Sequence, residues 1–211
     1  ISDVRFRLPL PVERWTWVEA PFNENRAVWQ HLMADNVWRM DFQMDPQCNL
    51  EEVSRPEVAT ARLRAHLGED VDFEIVWVGP YSYRSFALDR FRHGRVFFLG
   101  DCAHQMSPFG ARGGNSGIQD ADNLVWKLAL VLGGHASDRL LDSYDEERRP
   151  AAVENVRLTH RTNRFLSPDS AEEKVLRDAV LFLARKHEFA RPLVNTGRLS
   201  VASAYADSPV I

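Results

Sequence analysis

The chain has 211 residues, of which 45% are hydrophobic and 27% charged, which is typical of a globular protein. A formal net charge of -4 and a pI near 6.0 argue against a nucleic-acid or anionic-membrane partner, and no segment approaches the roughly 20 apolar residues of a membrane span. The two cysteines, Cys48 and Cys102, lack a CxxC spacing, so we expect no disulfide framework and a cytoplasmic location.

Period-two alternation of apolar and polar residues predicts antiparallel sheet in the first part of the chain. The predicted strands cover residues 4–8, 14–20, 26–33 and 38–44. The apolar side chains of the last of these strands could form a core face or line an aromatic pocket; they are Trp38, Met40, Phe42 and Met44.

A helix is predicted next, with Ser54 as its N-cap, Pro56 in its first turn and Gly68 at its end. Two further strands are expected over residues 73–78 and 81–88.

The second part of the chain has a different pattern. Residues 96–99 form a short apolar run that predicts a strand buried on both faces, as in a parallel sheet. A glycine-rich loop is expected over 110–117, followed by a helix from Ile118 that stops at Gly133-Gly134. Further helices are predicted over 138–149, interrupted at Pro150, and over 170–189, where Ser170 and Glu173 have capping-box spacing.

The most informative segment is 95–132, in which Gly100-Asp101 follows the buried strand. Ligands of open α/β sheets bind beyond the carboxyl ends of strands, and an aspartate there can accept hydrogen bonds from sugar hydroxyls. The glycines allow close backbone approach, and a helix start favours negative charge. A polyhydroxylated, electron-rich ligand would fit, although a strand, glycine turn and helix also occur in any α/β domain.

This segment resembles the second flavin motif of the class A FAD-dependent aromatic hydroxylases, the family of 4-hydroxybenzoate, phenol and hydroxyphenylpropionate hydroxylases. The resemblance is dense over about residues 81–160. The residues that carry it are Gly100, Asp101, His104, Pro108, Gly110, Ala111, Gly113, Asn115, Gly117, Asp120, Ala121, Asn123, Leu124, Trp126, Lys127, Leu128, Tyr144, Glu147, Arg148, Arg149 and Pro150.

The resemblance implies a role for each matching residue. Asp101 would hold the ribityl chain of FAD, and Pro108 would lie where the reactive face of the flavin meets the substrate. Backbone N–H groups around Gly113, Gly114 and Asn115 would face the flavin N1 and C2 carbonyl. The cofactor-binding residues are then Gly100, Asp101, Pro108, Gly110, Gly113, Gly114 and Asn115, and Pro108 is also the catalytic candidate.

The implied reaction uses NADPH or NADH to reduce FAD. A flavin hydroperoxide formed with O2 then hydroxylates a phenol-like aromatic substrate. An alternative is a flavin oxidoreductase of the same fold that acts on a non-aromatic or polyketide-like compound. A third reading is a non-catalytic fragment that binds no FAD by itself.

The chain departs from the family pattern at two points, and the second of them bears on the extent of the chain. Cys102 replaces a common alanine, and none of the eleven glycines forms the GxGxxG loop that holds the ADP part of FAD. Together with a start at Ile1 rather than Met, this predicts that an N-terminal half is missing. The chain alone would then be inactive and would need that half or a second copy to cover its apolar faces.

Other candidate functional residues could equally have ordinary structural or surface roles. Cys102 and His104 could form a nucleophile pair or a metal site, but a second ligand pair and a positioned base are absent, so we expect no metal. His31, Tyr83 and Arg84 are candidate substrate contacts or ordinary polar groups of the sheet. Arg112 could face the flavin or solvent. The side chains of Asp120, Asp122 and Lys127 are predicted to be helix-start charges on the surface.

The sequence therefore predicts an α+β fold. Residues 1–92 form a partial, mainly antiparallel substrate-binding sheet domain. Residues 93–211 are expected to form the C-terminal part of an FAD-binding domain, with a strand, the glycine loop and a helical region.

Overall fold

The computed structural model describes residues 1–7, 10–194 and 203–210. Two compact units make up the chain, residues 1–82 and 83–211. The division falls ten residues before the boundary expected from the sequence, because strand residues 86–87 and 92–93 pair with later segments of the second unit. The antiparallel sheet and the helices confirm the α+β class.

The first unit is a five-stranded antiparallel sheet with strand order β2-β3-β4-β1-β5 and two helices. Its elements in chain order are β1 (Ser2–Phe6), β2 (Trp15–Ala20), β3 (Arg26–Leu32), β4 (Val37–Phe42), α1 (Leu50–Val53), α2 (Pro56–Leu67) and β5 (Phe73–Val78). The predicted strands are confirmed to within a few residues at each end. Leu8, the expected end of β1, lies outside the described residues.

The alternation of apolar and polar residues makes one face of this sheet apolar, and that face forms the core of the unit. Trp38, Met40 and Phe42 are buried side by side on β4, and α2 adds the buried Leu63. These aromatic and sulfur-containing side chains are therefore a core face and not the lining of a pocket.

Helix α2 begins and ends near the predicted positions, but its N-cap differs. Arg55 is the N-cap residue, whereas Ser54 closes the short helix α1 and its Oγ donates to the Leu50 carbonyl. Gly68 ends α2 at φ +95, a left-handed conformation that glycine adopts without steric strain.

The second unit is mainly helical. Its elements are β6 (Phe86–Ala87), β7 (Arg92–His93), β8 (Val96–Phe97), β9 (His104–Gln105), α3 (Arg112–Leu132), α4 (Asp142–Leu166), α5 (Ala171–Ala184) and α6 (Arg191–Val194). Among the helices of the described residues, none combines the length and apolar character needed to cross a membrane.

Several predictions for this unit are wrong. The strand expected over 81–88 is regular only at Phe86–Ala87, which pairs with His104–Gln105. The run at 96–99 is not a doubly buried strand of a parallel sheet, since Val96 is 55% exposed and β8 pairs antiparallel with β7. Gly94, at φ +60 between β7 and β8, permits the tight turn that supplies this local partner.

The helices also differ from the prediction at two points. Helix α3 begins at Arg112, so Gly113, Gly114 and Gly117 belong to its first turns and not to a loop. Helix α4 continues through Pro150, because the contacts of its buried face outweigh the loss of one backbone hydrogen bond.

The capping predictions for α3 and α5 are confirmed. Gly133 and Gly134 end α3. Ser170 is the N-cap of α5 and accepts a hydrogen bond from the Glu173 amide.

A half-buried histidine in the first unit gives a testable pH dependence. The His66 ring on α2 packs against Trp17 and Phe22, and its Nε2 lies 2.8 Å from Gln30 Oε1. Burial lowers the pKa of His66, so the folded unit favours the neutral ring.

We expect the stability from the neutral His66 ring to be full above the unfolded histidine pKa of about 6.5 and to be lost as pH falls through the lower folded value. Tryptophan fluorescence during urea unfolding should measure this, because five of the six tryptophans lie in residues 1–82. His66→Gln should flatten the dependence of the unfolding free energy on pH below the unfolded histidine pKa of about 6.5. The exposed His135→Gln should leave it unchanged; equal slopes in all three proteins would contradict the prediction.

Candidate functional site

The first segment of the candidate site is the turn that carries Asp101. Leu99 is extended, Gly100 adopts φ +53, and the Ala103 amide donates to the Gly100 carbonyl at 2.8 Å. Asp101 is exposed on this turn, and its carboxylate has no hydrogen bond or ion pair with any described residue. Its oxygens can therefore accept hydrogen bonds from a ligand.

A second segment of the site leads from β9 into helix α3. Ser107 is buried and its hydroxyl donates to the Thr159 carbonyl at 3.2 Å, which anchors the segment to α4. Pro108 next to it is exposed. Gly110 at φ +84 and Ala111 at φ +51 then turn the backbone so that the helix can begin at Arg112.

The first turn of α3 presents backbone N–H groups. The amides of Gly113 and Gly114 have no acceptor within the helix, and the N-cap Ala111 offers them no side-chain oxygen. A Cβ atom added to Gly114 would meet nothing within 4 Å, so this part of the turn is open. The Asn115 side chain donates to the Ala111 carbonyl at 2.7 Å and steadies the N-cap.

The Asp101 turn and the start of α3 lie against each other through backbone. A Cβ atom added to Gly117 would come within 3.3 Å of the Gly100 Cα, which is closer than most real contacts. Only glycine at this point of α3 lets the helix approach the turn so closely. The exposed Asp101 carboxylate and the amides of Gly113 and Gly114 are thus carried by two backbone segments in direct contact.

A buried carboxylate fixes the arrangement. Asp120 has no exposed surface; its Oδ2 accepts from the Gly100 amide at 3.0 Å and from His104 Nε2 at 2.7 Å, and its Oδ1 accepts from Arg148 Nε at 2.8 Å. Burial tends to raise the pKa of Asp120, but hydrogen bonds from His104, Arg148 and the Gly100 amide outweigh it and hold that pKa below its ordinary value.

A second buried ion pair lies two turns further along α3. Lys127 Nζ donates to Glu147 Oε2 at 2.6 Å and to Asn123 Oδ1 at 2.9 Å. Burial lowers the pKa of Lys127, while hydrogen bonds from Asn123, Lys127 and Ser208 hold the pKa of Glu147 below its usual range despite its burial. This pair joins α3 to α4 next to Arg148.

The prediction that Asp120 and Lys127 are surface charges is therefore wrong. Helical spacing is the signal that could have revealed their burial, since both residues belong to a set of polar and apolar side chains that share one side of α3. The members are Ser116, Asp120, Asn123, Leu124 and Lys127, all of them buried. Asp122, in contrast, is exposed as expected.

Cys102 and His104 do not form a reactive pair, because Cys102 is exposed and His104 is buried against Asp120. Within the described residues there is no group of three or more His, Cys, Asp or Glu side chains that could hold a metal. Arg112 is buried and donates to Asn155 Oδ1 at 2.8 Å, so it faces neither solvent nor an open site.

The candidate substrate residues fall in both units. His31 lies on β3 opposite Arg39, its Nδ1 is buried with no partner among the described residues, and burial lowers its pKa. In the second unit the Tyr83 hydroxyl donates to Asn163 Oδ1 at 2.7 Å, and Arg84 is exposed.

These features fit the reactive end of a flavin nucleotide. A polyol chain needs acceptors such as the exposed Asp101 oxygens, and an electron-rich ring edge needs donors such as the amides of Gly113 and Gly114. The unfilled space at Gly114 allows a flat ring to lie against the backbone.

Comparison with known proteins agrees with this geometry. The FAD binding domain family matches residues 3–159. A Streptomyces halstedii protein that carries the name polyketide hydroxylase is 52% identical over 103 residues, which are 49% of this chain and 19% of that protein. The 4-methyl-5-nitrocatechol 5-monooxygenase of a Burkholderia species is 43% identical over 120 residues, 56% of this chain and 22% of the enzyme.

Solved structures show the same fold. The flavin-dependent monooxygenase PieE, crystallised in complex with FAD and substrate, aligns with a TM-score of 0.67 and 26% identity over 90% of this chain and 35% of that chain. The chain thus spans about a fifth of the length of the two relatives above and about a third of PieE.

The fold and the matched residues define an FAD-binding protein, and the chain belongs to the FAD binding domain family. The relatives reported above carry the names of a polyketide hydroxylase and a nitrocatechol monooxygenase, and the matched PieE structure contains FAD.

Removing the charge of Asp120 should destabilise the second unit. In Asp120→Asn, Arg148 stays buried without its counter-charge, and loss of one partner of a buried ion pair costs about 3–5 kcal/mol. Thermal or urea unfolding followed by circular dichroism should show this loss. The exposed Asp122→Asn should unfold like the wild type, and an Asp120→Asn protein within about 1 kcal/mol of wild type would contradict the assignment.

The same pair of variants has a pH signature. Because the folded pKa of Asp120 is depressed, its stabilisation is present above the unfolded value of about 3.9 and is lost as pH falls through the folded value. Asp120→Asn should therefore show a smaller loss of stability on acidification below about pH 4.

Proposed function

We propose that this chain is part of an FAD- and NAD(P)H-dependent monooxygenase that uses O2 to hydroxylate an aromatic, phenol-like substrate. The observation that carries the proposal is the exposed Asp101 carboxylate beside the open first turn of α3, both held on one rigid backbone unit. The membership of the family supports FAD as the ligand of this site.

The proposed cofactor contacts follow the exposed atoms of the site. Asp101 accepts from hydroxyls of the ribityl chain, and the amides of Gly113 and Gly114 donate to the electron-rich edge of the ring. Asn115 holds the Ala111 carbonyl and keeps this turn in place.

The remaining cofactor residues shape the backbone. Gly100 and Gly110 supply the left-handed turns on either side of the site, and the exposed Pro108 contacts the ring where the substrate reacts.

Bound FAD would supply electron transfer and O2 activation, which no side chain of the chain can provide. The chain orients the ring, and the partial positive charge at the start of α3 stabilises negative charge on its edge. Exposure of Pro108 leaves room for an aromatic compound beside that edge.

His31, Tyr83 and Arg84 are the proposed substrate contacts. The lowered pKa of His31 favours its neutral ring, which has one donor and one acceptor nitrogen. Tyr83 is already bonded to Asn163, so a substrate would meet a hydroxyl of fixed orientation.

The ADP end of FAD requires residues that are not among these. We propose that a GxGxxG segment in an N-terminal half of the same polypeptide holds it and that this chain alone is inactive. An exposed apolar stripe along α3 supports a further protein layer, from that half or from a second copy; its members include Ile118, Val125 and Leu132. A cytoplasmic location would suit the exposed thiol of Cys102.

A polyketide-type substrate is the second candidate, because 52% identity to a protein named as a polyketide hydroxylase exceeds the 43% to the nitrocatechol enzyme. Both candidates require the same cofactor site and differ in the size of the ring system.

The test is to purify the full-length protein and to measure flavin absorbance, NADH and NADPH oxidation, and hydroxylated product with monocyclic phenols and polycyclic aromatic polyketides. We expect bound FAD and product from one substrate class. Asp101→Ala should weaken FAD binding about tenfold or more, since a hydrogen bond to a charged group is lost. Full-length protein that binds no added FAD would overturn the proposal.

A glycine substitution separates the ligand site from the fold. Gly114 has helical backbone angles and open space at its Cβ position, so Gly114→Ala should leave stability unchanged or raise it by up to about 1 kcal/mol. Its methyl group would nevertheless stand between the α3 amides and the ring and should weaken FAD binding about tenfold.

The matched control is Asp122→Ala, an exposed position further along the same helix, which should bind FAD like the wild type. Titration of the FAD-free protein by flavin fluorescence gives the dissociation constants. Wild-type affinity in Gly114→Ala would exclude this turn from the cofactor site.

A further inference from the structure

Residues 203–210, near the end of the chain, attach to the buried charges of α4 through two hydroxyl groups. The Tyr205 hydroxyl accepts from Arg148 Nη1 at 2.8 Å, and the Ser208 hydroxyl donates to Glu147 Oε1. Both side chains are half-buried, whereas most of their neighbours in the segment are exposed. The two contacts therefore fall on adjacent residues of α4 that belong to different buried clusters.

Arg148 depends on this segment for part of its hydrogen bonding. The guanidinium is fully buried, and its contacts besides Asp120 and Tyr205 are long, at 3.4 Å to the Ser116 carbonyl and 3.2 Å to Gln119 Oε1. Without the Tyr205 hydroxyl, Nη1 would lose its hydrogen-bond acceptor among the described residues, so the guanidinium would shift or admit water.

A shift of Arg148 would reach the Asp101 turn through one carboxylate. Arg148 holds Asp120 Oδ1, while Oδ2 of the same group holds the Gly100 amide and His104. A carboxylate is planar and rigid, so rotation at one oxygen moves the other. The Tyr205 hydroxyl is thus separated from the Gly100 amide by only two side chains.

We infer that Arg148 and Tyr205 are positioning residues that set the orientation of the Gly100-Asp101 turn toward the cofactor. Tyr205 acts through Arg148 and Asp120 and touches neither cofactor nor substrate. The inference rests on the proposed function, because it concerns how Asp101 is presented to FAD. It gives Tyr205 a positioning role for the cofactor site although this residue lies more than 80 residues beyond the glycines that form the site.

Ser208 provides a matched control within the same segment. Its partner Glu147 bonds to Lys127 and Asn123, and neither of these has a hydrogen bond to the Asp101 turn. Tyr205→Phe and Ser208→Ala each remove one hydroxyl from residues 203–210, but only the first should affect Gly100.

The experiment compares wild type, Tyr205→Phe and Ser208→Ala in the full-length protein, well below their melting temperatures. The first readout is hydrogen exchange of the Gly100 amide without FAD, and the second is the FAD dissociation constant. We expect Tyr205→Phe to exchange Gly100 about tenfold faster and to bind FAD several-fold more weakly. Ser208→Ala should match wild type in both, even if its melting temperature falls.

The outcomes separate the two proposals. Unchanged Gly100 exchange in Tyr205→Phe, or equal acceleration in both variants, would overturn the positioning role, whatever the wild type does with FAD. Faster exchange confined to Tyr205→Phe, in a protein whose wild type binds no FAD, would support the contact path and overturn the proposed function.

Discussion

The second unit depends on one buried carboxylate. Asp120 satisfies a backbone amide, an imidazole and a guanidinium at once, and each partner comes from a different segment. A charge with no exposed surface is tolerated only when every oxygen is bonded, so the three segments must meet in one geometry. The directional bonds of Asp120 restrict how these segments can pack against one another.

The glycines complement this constraint. Gly117 lets α3 approach the turn at Gly100 within backbone contact, and Gly100 adopts an angle that places Asp101 outside. The hydrogen bond from the Gly100 amide to Asp120 and the lack of side chains at Gly100 and Gly117 both act where the turn meets α3. Buried contacts of the unit, and not the exposed residues themselves, therefore determine that the Asp101 carboxylate faces outward beside the first turn of α3.

The sequence predicted what depends on local patterns. Alternation placed the strands of the first unit, and Gly133, Gly134 and Ser170 marked helix ends, because these signals act within a few residues. Gly100-Asp101 and the following glycines are predicted as a ligand site because they match a family motif at fixed spacing, and this remains a prediction.

What the sequence did not predict depends on tertiary contacts. A charged residue normally lies on the surface, so both Asp120 and Lys127 were predicted to be exposed. Their burial depends on partners on α4. The hairpin of β7 and β8 and the passage of α4 through Pro150 likewise reflect neighbours that lie elsewhere in the chain. Tyr205 carries no motif of its own, and its contact with Arg148 spans 57 residues.

The strand order of the first unit has a consequence for synthesis. Strand β1 lies between β4 and β5, so Ser2 pairs both with Met40 and with Val78. During translation one edge of β1 stays unpaired until β5 has been synthesised, about 70 residues later. Nascent chains halted before that point would expose an unpaired edge and would be natural clients for chaperones.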